Sequence, residues 1–224
     1  MEKGYFITGT DTNVGKTWAT IALMRYFKRQ GKSVVGMKPV ASGCLMQNGT
    51  LKNEDALLIQ ENASLLVDYE LINPYAYDAP VSPHIAGADN PVELCKIVAN
   101  FNILKQSTDI MLVEGAGGWM SPINATEDIA DLAKTLALPV IIVVAIRLGC
   151  INHAKLTYQA IYSSGISCAG WIAMCTEPGL LNLDENIQTV KTSLETPLLG
   201  VLPYFAQADF DALSLNLSVD MNKN

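Results

Sequence analysis

The fold is decided by residues 9–17, which read Gly9-Thr10-Asp11-Thr12-Asn13-Val14-Gly15-Lys16-Thr17. They follow an apolar run at 5–8 and open a segment, 19–27, whose apolar residues recur on one helical face. A strand, a tight glycine loop, Gly-Lys-Thr and a helix are the order found around phosphate-binding loops. The sequence therefore predicts a nucleotide site, in which loop amides, the helix N-terminus and the Lys16 ammonium hold phosphate oxygens.

The spacing within this loop departs from the usual phosphate-loop pattern. Thr10 stands where that pattern has its first glycine, and Gly9 lies one position further from Gly15. An ordinary glycine turn between a strand and a helix is the alternative interpretation. The flanking strand and helix favour the nucleotide site, in which Thr17 is also placed to contact a divalent metal. The other nucleotide contacts expected here are Asn13, Val14, Gly15, Lys16 and Trp18.

Composition fits one enzyme-sized α/β domain over residues 1–224. Of the 224 residues 50% are hydrophobic, which is enough for a large core. The formal net charge is −7 and the sequence pI is about 4.8, so we expect no nucleic-acid partner. The longest apolar stretch, 136–146, is too short to cross a bilayer, so we expect no membrane span.

The cysteines and the start of the chain predict a cytoplasmic protein. There are 5 cysteines, scattered and without a Cys-x-x-Cys pair, which favours reduced thiols over a disulfide framework or a zinc site. An apolar strand begins within the first five residues, which leaves no room for a signal peptide. We therefore expect a soluble protein of a reducing compartment.

Apolar strand-like segments alternate with helical ones along the chain. Strands are predicted at 5–9, 33–39, 109–114, 139–146, 168–174 and, more weakly, 198–202. Residues 140–146 are apolar on both faces, which is typical of a central parallel strand covered by helices on each side. Residues 64–90 show weak periodicity and are interpreted as an excursion over the active-site edge. The sequence predicts a doubly wound, mostly parallel sheet with helices on both faces, resembling P-loop NTPases, and ligands at the carboxyl ends of the strands.

Helix starts are predicted from capping residues. Asn90 is the expected N-cap of a helix that has Pro91 at its first position and Glu93 at its third. Thr126 and Asn152 are the expected N-caps of two further helices.

Polar and glycine-rich segments follow the second and third predicted strands. They are Lys38-Pro39-Val40-Ala41-Ser42-Gly43 and Glu114-Gly115-Ala116-Gly117-Gly118, and the pair Glu54-Asp55 lies at a helix start. Thr17, Asp55 and Glu114 offer only hard oxygen ligands, which suits Mg²⁺ that bridges phosphates. A solvated strand end is the alternative for Glu114, and Glu54 is the alternative ligand to Asp55. Lys38 is expected to point out of the sheet end toward the phosphate loop.

Together these residues resemble the dethiobiotin synthetase family. The matching segments, in the family's order, are 5–17, 38–43, 82–84, 113–119, 148–154 and 197–200. The lysine-bearing segment 38–43 and the Leu-Gly-Cys-Ile-Asn-His segment are more specific than the phosphate loop alone. The resemblance implies an ATP-dependent cyclo-ligase of biotin biosynthesis, normally a homodimer. Its substrates are 7,8-diaminononanoate, CO₂ and Mg-ATP, and its product is a cyclic urea.

The resemblance and its chemistry imply roles for individual residues. Lys38, with the hydroxyls of Thr12 and Ser42, is expected to hold the carbamate that an amine forms with CO₂. Lys16, the loop amides and magnesium then take up charge as the carbamate attacks the γ-phosphorus. Further nucleotide contacts are expected at Gly115, Ala116, Gly117, Pro203, Tyr204 and Phe205, and further substrate contacts at Ser82, Gly118, Cys150, Ile151 and Asn152. The helix start at Asn152 is expected to hold the distal carboxylate across the dimer interface.

Two places depart from the family's pattern. Asn13 replaces a residue that is often acidic, and Met174-Cys175 stand where the family usually has an asparagine and an acidic residue that read adenine. Base recognition is then expected from the backbone or from residues 203–205. His84 is interpreted either as substrate wall or as a plain loop histidine, and His153 as part of helix N-terminal packing.

Two rival classes share a similar loop and sheet. A nucleotide-switch ATPase of the partition or metallocluster-assembly type would place a second lysine early in the loop, where this chain has Asp11. An amidotransferase-type ligase acting on a cobalamin precursor would need a glutaminase domain, for which 224 residues leave no room. The segments 38–43 and 148–154 argue against both.

Overall fold

The computed structural model describes residues 4–219. The strands are β1 Gly4–Gly9, β2 Val34–Met37, β3 Val40–Ala41, β4 Leu45–Gln47, β5 Thr50–Lys52, β6 Tyr75–Ala76, β7 Ile110–Glu114, β8 Val140–Ala145, β9 Cys168–Met174 and β10 Leu198–Leu202. The helices are α1 Lys16–Arg29, α2 Glu54–Glu61, α3 Tyr69–Ile72, α4 Pro83–Ala86, α5 Leu94–Gln106, α6 Ile129–Leu136, α7 Cys150–Ser163, α8 Leu183–Ser193 and α9 Phe210–Ser214.

Six strands form one parallel sheet in the order β10-β9-β8-β1-β7-β2. They are the six predicted strands; two have the predicted bounds, and the ends of the other four differ by two residues or fewer. Side chains alternate between two cores: Phe6 belongs to one, and its neighbours Tyr5 and Ile7 belong to the other. Helices α5, α6, α7 and α8 cover the first core, and α1, α2 and α9 cover the second. The predicted α/β fold class is confirmed.

The predicted start of α5 is wrong. Glu93, not Asn90, is the N-cap, and the helix begins at Leu94. The Glu93 N–H donates to the Tyr75 hydroxyl at 2.9 Å, and Val92 O accepts from Asn124 Nδ2 at 2.9 Å. These bonds and the burial of Val92 hold the segment extended, so tertiary contacts override the Asn-Pro capping signal.

Two other predicted N-caps are also wrong. Thr126 donates its N–H to Asn124 in a turn. Helix α6 begins at Ile129, and its N-cap is Asp128, which forms a capping box with Asp131. Helix α7 starts at Cys150, so Asn152 lies within its first turn. Its N-cap is Gly149, whose φ of 91° favours glycine.

The 64–90 excursion and an unpredicted hairpin lie beyond the end of β2. Strand β6 of the excursion pairs in parallel with β3, and the Cys44 N–H donates to Tyr77 O at 2.8 Å. Strands β4 and β5 form the hairpin through Asn48 and Gly49, both with positive φ. Asn-Gly is a strong hairpin signal. Within residues 4–219, none of the helices has the length and apolar composition needed to cross a membrane.

Candidate active site

The phosphate loop joins β1 to α1 and contains two residues with left-handed backbone. Asn13 has a φ of 56° and Gly15 a φ of 84°, and such residues let neighbouring amides face one anion. Lys16 Nζ donates to Asp11 O at 2.7 Å, so its ammonium lies back over the loop. A Cβ on Gly15 would lie 2.7 Å from Met174 Cγ. Both φ and space therefore favour glycine at this position.

Glu114, the last residue of β7, is fully buried and hydrogen-bonded through both carboxylate oxygens. Its Oε1 accepts from Thr17 Oγ1 at 2.9 Å and from Lys38 Nζ at 2.8 Å. Its Oε2 accepts from Thr20 Oγ1 at 2.8 Å. The carboxylate is therefore fixed by α1 on one side and by the lysine beyond β2 on the other.

Lys38 bridges two carboxylates. Its Nζ lies 2.5 Å from Asp55 Oδ2 as well as 2.8 Å from Glu114 Oε1. The backbone of Lys38 is held by the excursion, because its N–H donates to Ile72 O at 3.0 Å and its carbonyl accepts from Asn73 Nδ2 at 2.7 Å. The sequence predicted that Lys38 would face the phosphate loop but not that it would pair with both carboxylates.

The charged groups of this cluster shift the pKa values of Lys38, Asp55 and Lys16. Burial alone lowers the pKa of Lys38, but the charges of Glu114 and Asp55 and the hydrogen bonds to them raise it above its ordinary value. Burial raises the pKa of Asp55, and the Lys38 ammonium more than offsets this, so the net shift is downward. Burial lowers the pKa of Lys16 to about 8, with Lys38 adding to the effect and Glu114 opposing it.

A cleft of about 310 Å³ opens beside the phosphate loop. Its lining consists of Thr12, Asn13, Gly15, Lys16, Thr17, Trp18, Lys38, Ala41, Ser42, Asn53, Asp55, Glu114, Ala116 and Gly117. All but Ala41 and Asn53 are residues that the sequence predicted. Ser42 also lines the cleft, and within residues 4–219 its buried Oγ has no hydrogen-bond partner. Of the acidic pair that begins α2, Asp55 lines the cleft and Glu54 is exposed.

Other expected contacts lie outside the lining of this cleft. They are Val14, Ser82, Gly115, Gly118, Cys150, Ile151, Asn152, Pro203, Tyr204 and Phe205, of which the last two line a second pocket. Val14 is a core residue, and Ser82 Oγ lies 2.9 Å from His84 Nδ1. Cys150 is buried, and its thiol donates to Oδ1 of Asn186, a residue of α8, at 3.9 Å. The substrate contacts expected in α7 stay predictions.

A second pocket of about 360 Å³ shares Asn13, Gly15 and Trp18 with the cleft. Its remaining lining is Met174, Cys175, Thr176, Tyr204, Phe205 and Ala206. It therefore adjoins the phosphate loop. Apolar and aromatic side chains form most of its wall, and no side-chain amide or carboxylate from the end of β9 or the 204–206 segment contributes.

The oxygen atoms near the loop suit a divalent cation of the magnesium type. Asp55 and Glu114 already converge on one positive charge, the Lys38 ammonium, and Thr17 Oγ1 lies 2.9 Å from Glu114 Oε1. Within residues 4–219, no group of three His, Cys, Asp or Glu side chains could hold a metal alone. Two carboxylates and a hydroxyl fit Mg²⁺, which keeps waters and takes phosphate oxygens as its other ligands.

Two residues that support the site were not found from the sequence. Thr20 lies three residues after Thr17 on α1, and that spacing on one helix face was the available signal. Asn73, whose side chain holds the Lys38 carbonyl, is 3% exposed and lies in the weakly patterned excursion, where no signal marked it.

Comparison with known proteins places the chain in a family. A family model described as an AAA domain matches residues 3–211. A protein of Aromatoleum aromaticum named ATP-dependent dethiobiotin synthetase BioD is 44% identical over 209 residues, which cover 92% of this chain and 93% of that protein. The Escherichia coli K12 protein named ATP-dependent dethiobiotin synthetase BioD 1 is 45% identical, with the same two coverages, 92% and 93%.

Solved structures support the fold alone. The MinC:MinD cell division protein complex of Aquifex aeolicus contains a chain with a TM-score of 0.57 and 17% sequence identity, covering 91% of this chain and 82% of that one. At this identity the likeness concerns the fold and not the function. The match to the named relatives, 44–45% identical over 92% of the chain, confirms the predicted family: the chain belongs to the ATP-dependent dethiobiotin synthetases.

Proposed function

We propose that this chain catalyses the ATP-dependent carboxylation and ring closure of 7,8-diaminononanoate with CO₂ to dethiobiotin, releasing ADP and phosphate. The observation that carries the proposal is the position of Lys38, whose ammonium lies beside the phosphate loop in a cleft that also holds the unpartnered Ser42 Oγ. The names of relatives that align with 92% of the chain support the same reaction.

The first step asks for cations and hydrogen-bond donors. An amine nitrogen of the substrate bonds to the carbon of CO₂ and loses a proton, which gives a carbamate anion. Lys38 supplies a positive charge, and the hydroxyls of Thr12 and Ser42 supply neutral donors that line the same cleft. Because Ser42 Oγ has no partner within residues 4–219, bonding to the carbamate breaks no existing bond of that hydroxyl.

The next steps depend on charge stabilisation and positioning. A carbamate oxygen bonds to the γ-phosphorus as the bond to ADP breaks, and Lys16 with the loop amides stabilises the transferring group. The second amine then bonds to the carbamate carbon, phosphate leaves, and that amine loses a proton. Holding both amines within reach of one carbon converts ring closure into an intramolecular step.

Magnesium is the proposed cofactor. Thr17, Asp55 and Glu114 would hold it, since Asp55 and Glu114 both contact Lys38 and Thr17 contacts Glu114, which brings the three side chains together at the cleft. When bound, the ion neutralises phosphate oxygens during the transfer.

We further propose a single ligase domain, 1–224, that works as a cytoplasmic homodimer. All 5 cysteines are free, which fits a reducing compartment. The first turn of α7 presents helix N–H groups suited to a carboxylate, and we propose that it receives the substrate carboxylate near the dimer interface. No nucleic acid or membrane is a proposed partner.

The test is CO₂-dependent ADP release, measured with and without the diamine. The proposed ligase releases ADP only when both are present. A nucleotide-switch ATPase, the alternative function, releases ADP without the diamine, and that result would contradict the proposal. Asp11 stands where such ATPases carry their second lysine, and the likeness to MinD concerns the fold alone.

Lys38→Ala tests the residue that carries the proposal. Loss of one charged donor to the reacting groups is expected to lower kcat about 10²–10³-fold, or about 3–4 kcal/mol, while calorimetric ATP affinity changes little. Lys134→Ala is the matched control, because Lys134 is a surface lysine that pairs with Asp131 at 3.4 Å. An unchanged kcat in Lys38→Ala would remove this lysine from the mechanism.

A further inference from the structure

We propose that Thr20 is a positioning residue that holds Glu114 in the orientation required for divalent metal binding. The inference rests on the proposed metal site of Thr17, Asp55 and Glu114. The Thr20 hydroxyl donates to Glu114 Oε2 at 2.8 Å, and both residues are 0% exposed.

The two threonines of α1 donate to different oxygens of the Glu114 carboxylate. Thr17 and Thr20 are three residues apart and therefore lie on one helix face. Thr17 donates to Oε1, the oxygen that also accepts from Lys38 in the cleft, and Thr20 donates to Oε2. Because the second bond anchors the oxygen away from Lys38, it fixes rotation of the carboxylate about its last torsion. Oε1 is thereby kept facing the cleft.

The bond made by Thr20 is specific rather than a general property of buried threonines in this molecule. Thr8, on β1, is also 0% exposed, and within residues 4–219 its Oγ1 has no hydrogen-bond partner. A hydroxyl has one proton to donate, and Thr20 uses it on Glu114 rather than on the carbonyl one helical turn before it. Thr8 and Thr20 are thus both 0% exposed, but Thr20 contacts the proposed metal ligand Glu114, whereas Thr8 Oγ1 has no partner within residues 4–219.

The expected consequence of losing this bond is a weaker metal site. Hydrogen-bond partners of metal ligands set ligand orientation, and their loss typically lowers metal affinity about 10–100-fold. Thr20→Val keeps the shape of the side chain and removes the donor. Thr20→Ser keeps the donor, and Thr8→Val makes the same substitution at the threonine without a partner.

The experiment measures Mn²⁺ binding by electron paramagnetic resonance, with a non-hydrolysable ATP analogue present and neither diamine nor CO₂. Thr20→Val is expected to bind Mn²⁺ about 10–100-fold more weakly than the unaltered protein. Thr20→Ser and Thr8→Val are expected to match the unaltered protein, and analogue affinity in a chelator is expected to be the same in all four proteins. Because no carboxylation is measured, failure of the proposed reaction does not affect this result.

The outcomes that overturn the proposal are equally definite. Mn²⁺ affinity in Thr20→Val equal to that of the unaltered protein would show that the bond does not position Glu114. An equal loss in Thr8→Val would show a general packing effect. If Thr20→Val does not fold, Thr20→Cys replaces it, because a thiol of similar size is a weak donor; unaltered affinity in that variant would overturn the role. Absence of Mn²⁺ binding by the unaltered protein would refute both the metal site and the role of Thr20.

Discussion

Replacing Lys38 by methionine removes the charge at the centre of the buried cluster while keeping most of its apolar stem. Lys38 is 7% exposed and Glu114 is 0% exposed, so the carboxylate loses its ionic partner without gaining water. Removing one member of a buried ion pair costs about 3–5 kcal/mol, because the remaining charge is left uncompensated. For a chain of this length, that corresponds to a fall in Tm of about 6–20 °C.

The assay is urea and thermal unfolding in the presence of a chelator, so that no metal replaces the ammonium. Lys38→Met, Glu114→Gln and the double variant form a cycle. Glutamine carries no charge; its one oxygen can accept from one threonine hydroxyl, and its amide nitrogen can donate to the other. The double variant is therefore expected to be more stable than the sum of the single changes. The interaction free energy is expected at about 0.5–3 kcal/mol.

Lys134→Met is the control for loss of a lysine in general. Its side chain is 45% exposed and pairs with Asp131 at 3.4 Å, and a surface pair of this kind contributes about 0–1 kcal/mol. A Lys38→Met variant no less stable than this control would refute the stabilising role of the ion pairs that Lys38 makes with Asp55 and Glu114. Strictly additive losses in the cycle would refute the direct coupling between Lys38 and Glu114.

Three further predictions concern the nucleotide and the metal. Burial lowers the pKa of Lys16 to about 8, so above that pH the free protein carries a neutral amine, which must take up a proton when ADP binds. Calorimetric affinity without metal is then expected to fall with pH above about 8, by up to about tenfold per unit, and a flat profile would contradict this. Since the second pocket lacks an amide or carboxylate from the end of β9, CTP and GTP are expected within about a hundredfold of ATP in kcat/KM. A preference for ATP above about a thousandfold in competition would refute relaxed selectivity. Asp55→Asn and Glu114→Gln are each expected to raise the Mg²⁺ concentration needed for turnover. An equal effect in Glu54→Gln would contradict the choice of Asp55 rather than Glu54 as the metal ligand.

The sheet could be predicted because its strands carry their own signal. Residues 140–145 are buried throughout, and they alternate between the two cores, so a continuous apolar run was the correct mark of a central strand. Helix starts were less predictable, because a capping residue competes with distant partners. Asn90 precedes a proline and satisfies the local pattern, yet the hydrogen bonds that Glu93 donates to Tyr75 and that Val92 accepts from Asn124 set the start of α5.

The candidate site was predictable where chemistry and chain position coincide. Glu114 ends an apolar strand, and Lys16 sits in a Gly-Lys-Thr string, so each could be placed at the carboxyl edge of the sheet. The pairing of Lys38 with Asp55 and Glu114 depends on where α2 packs, which no local pattern encodes. Thr20 was missed because a threonine inside a helix has an unremarkable propensity, and only the position of β7 reveals its partner.

The balance of charge in the cleft explains why a nucleotide would need an accompanying cation. The ammonium groups of Lys16 and Lys38 are matched by the carboxylates of Asp55 and Glu114, all of which line the same cleft. The chain as a whole is acidic, with a net charge of −7, so no long-range field offsets the phosphates. Lys38 is already held by both carboxylates, and an incoming triphosphate would meet a neutral cluster rather than a positive one. Removal of divalent metal is therefore expected to weaken ATP binding itself, and equal ATP affinity in chelator and in Mg²⁺ would contradict this balance.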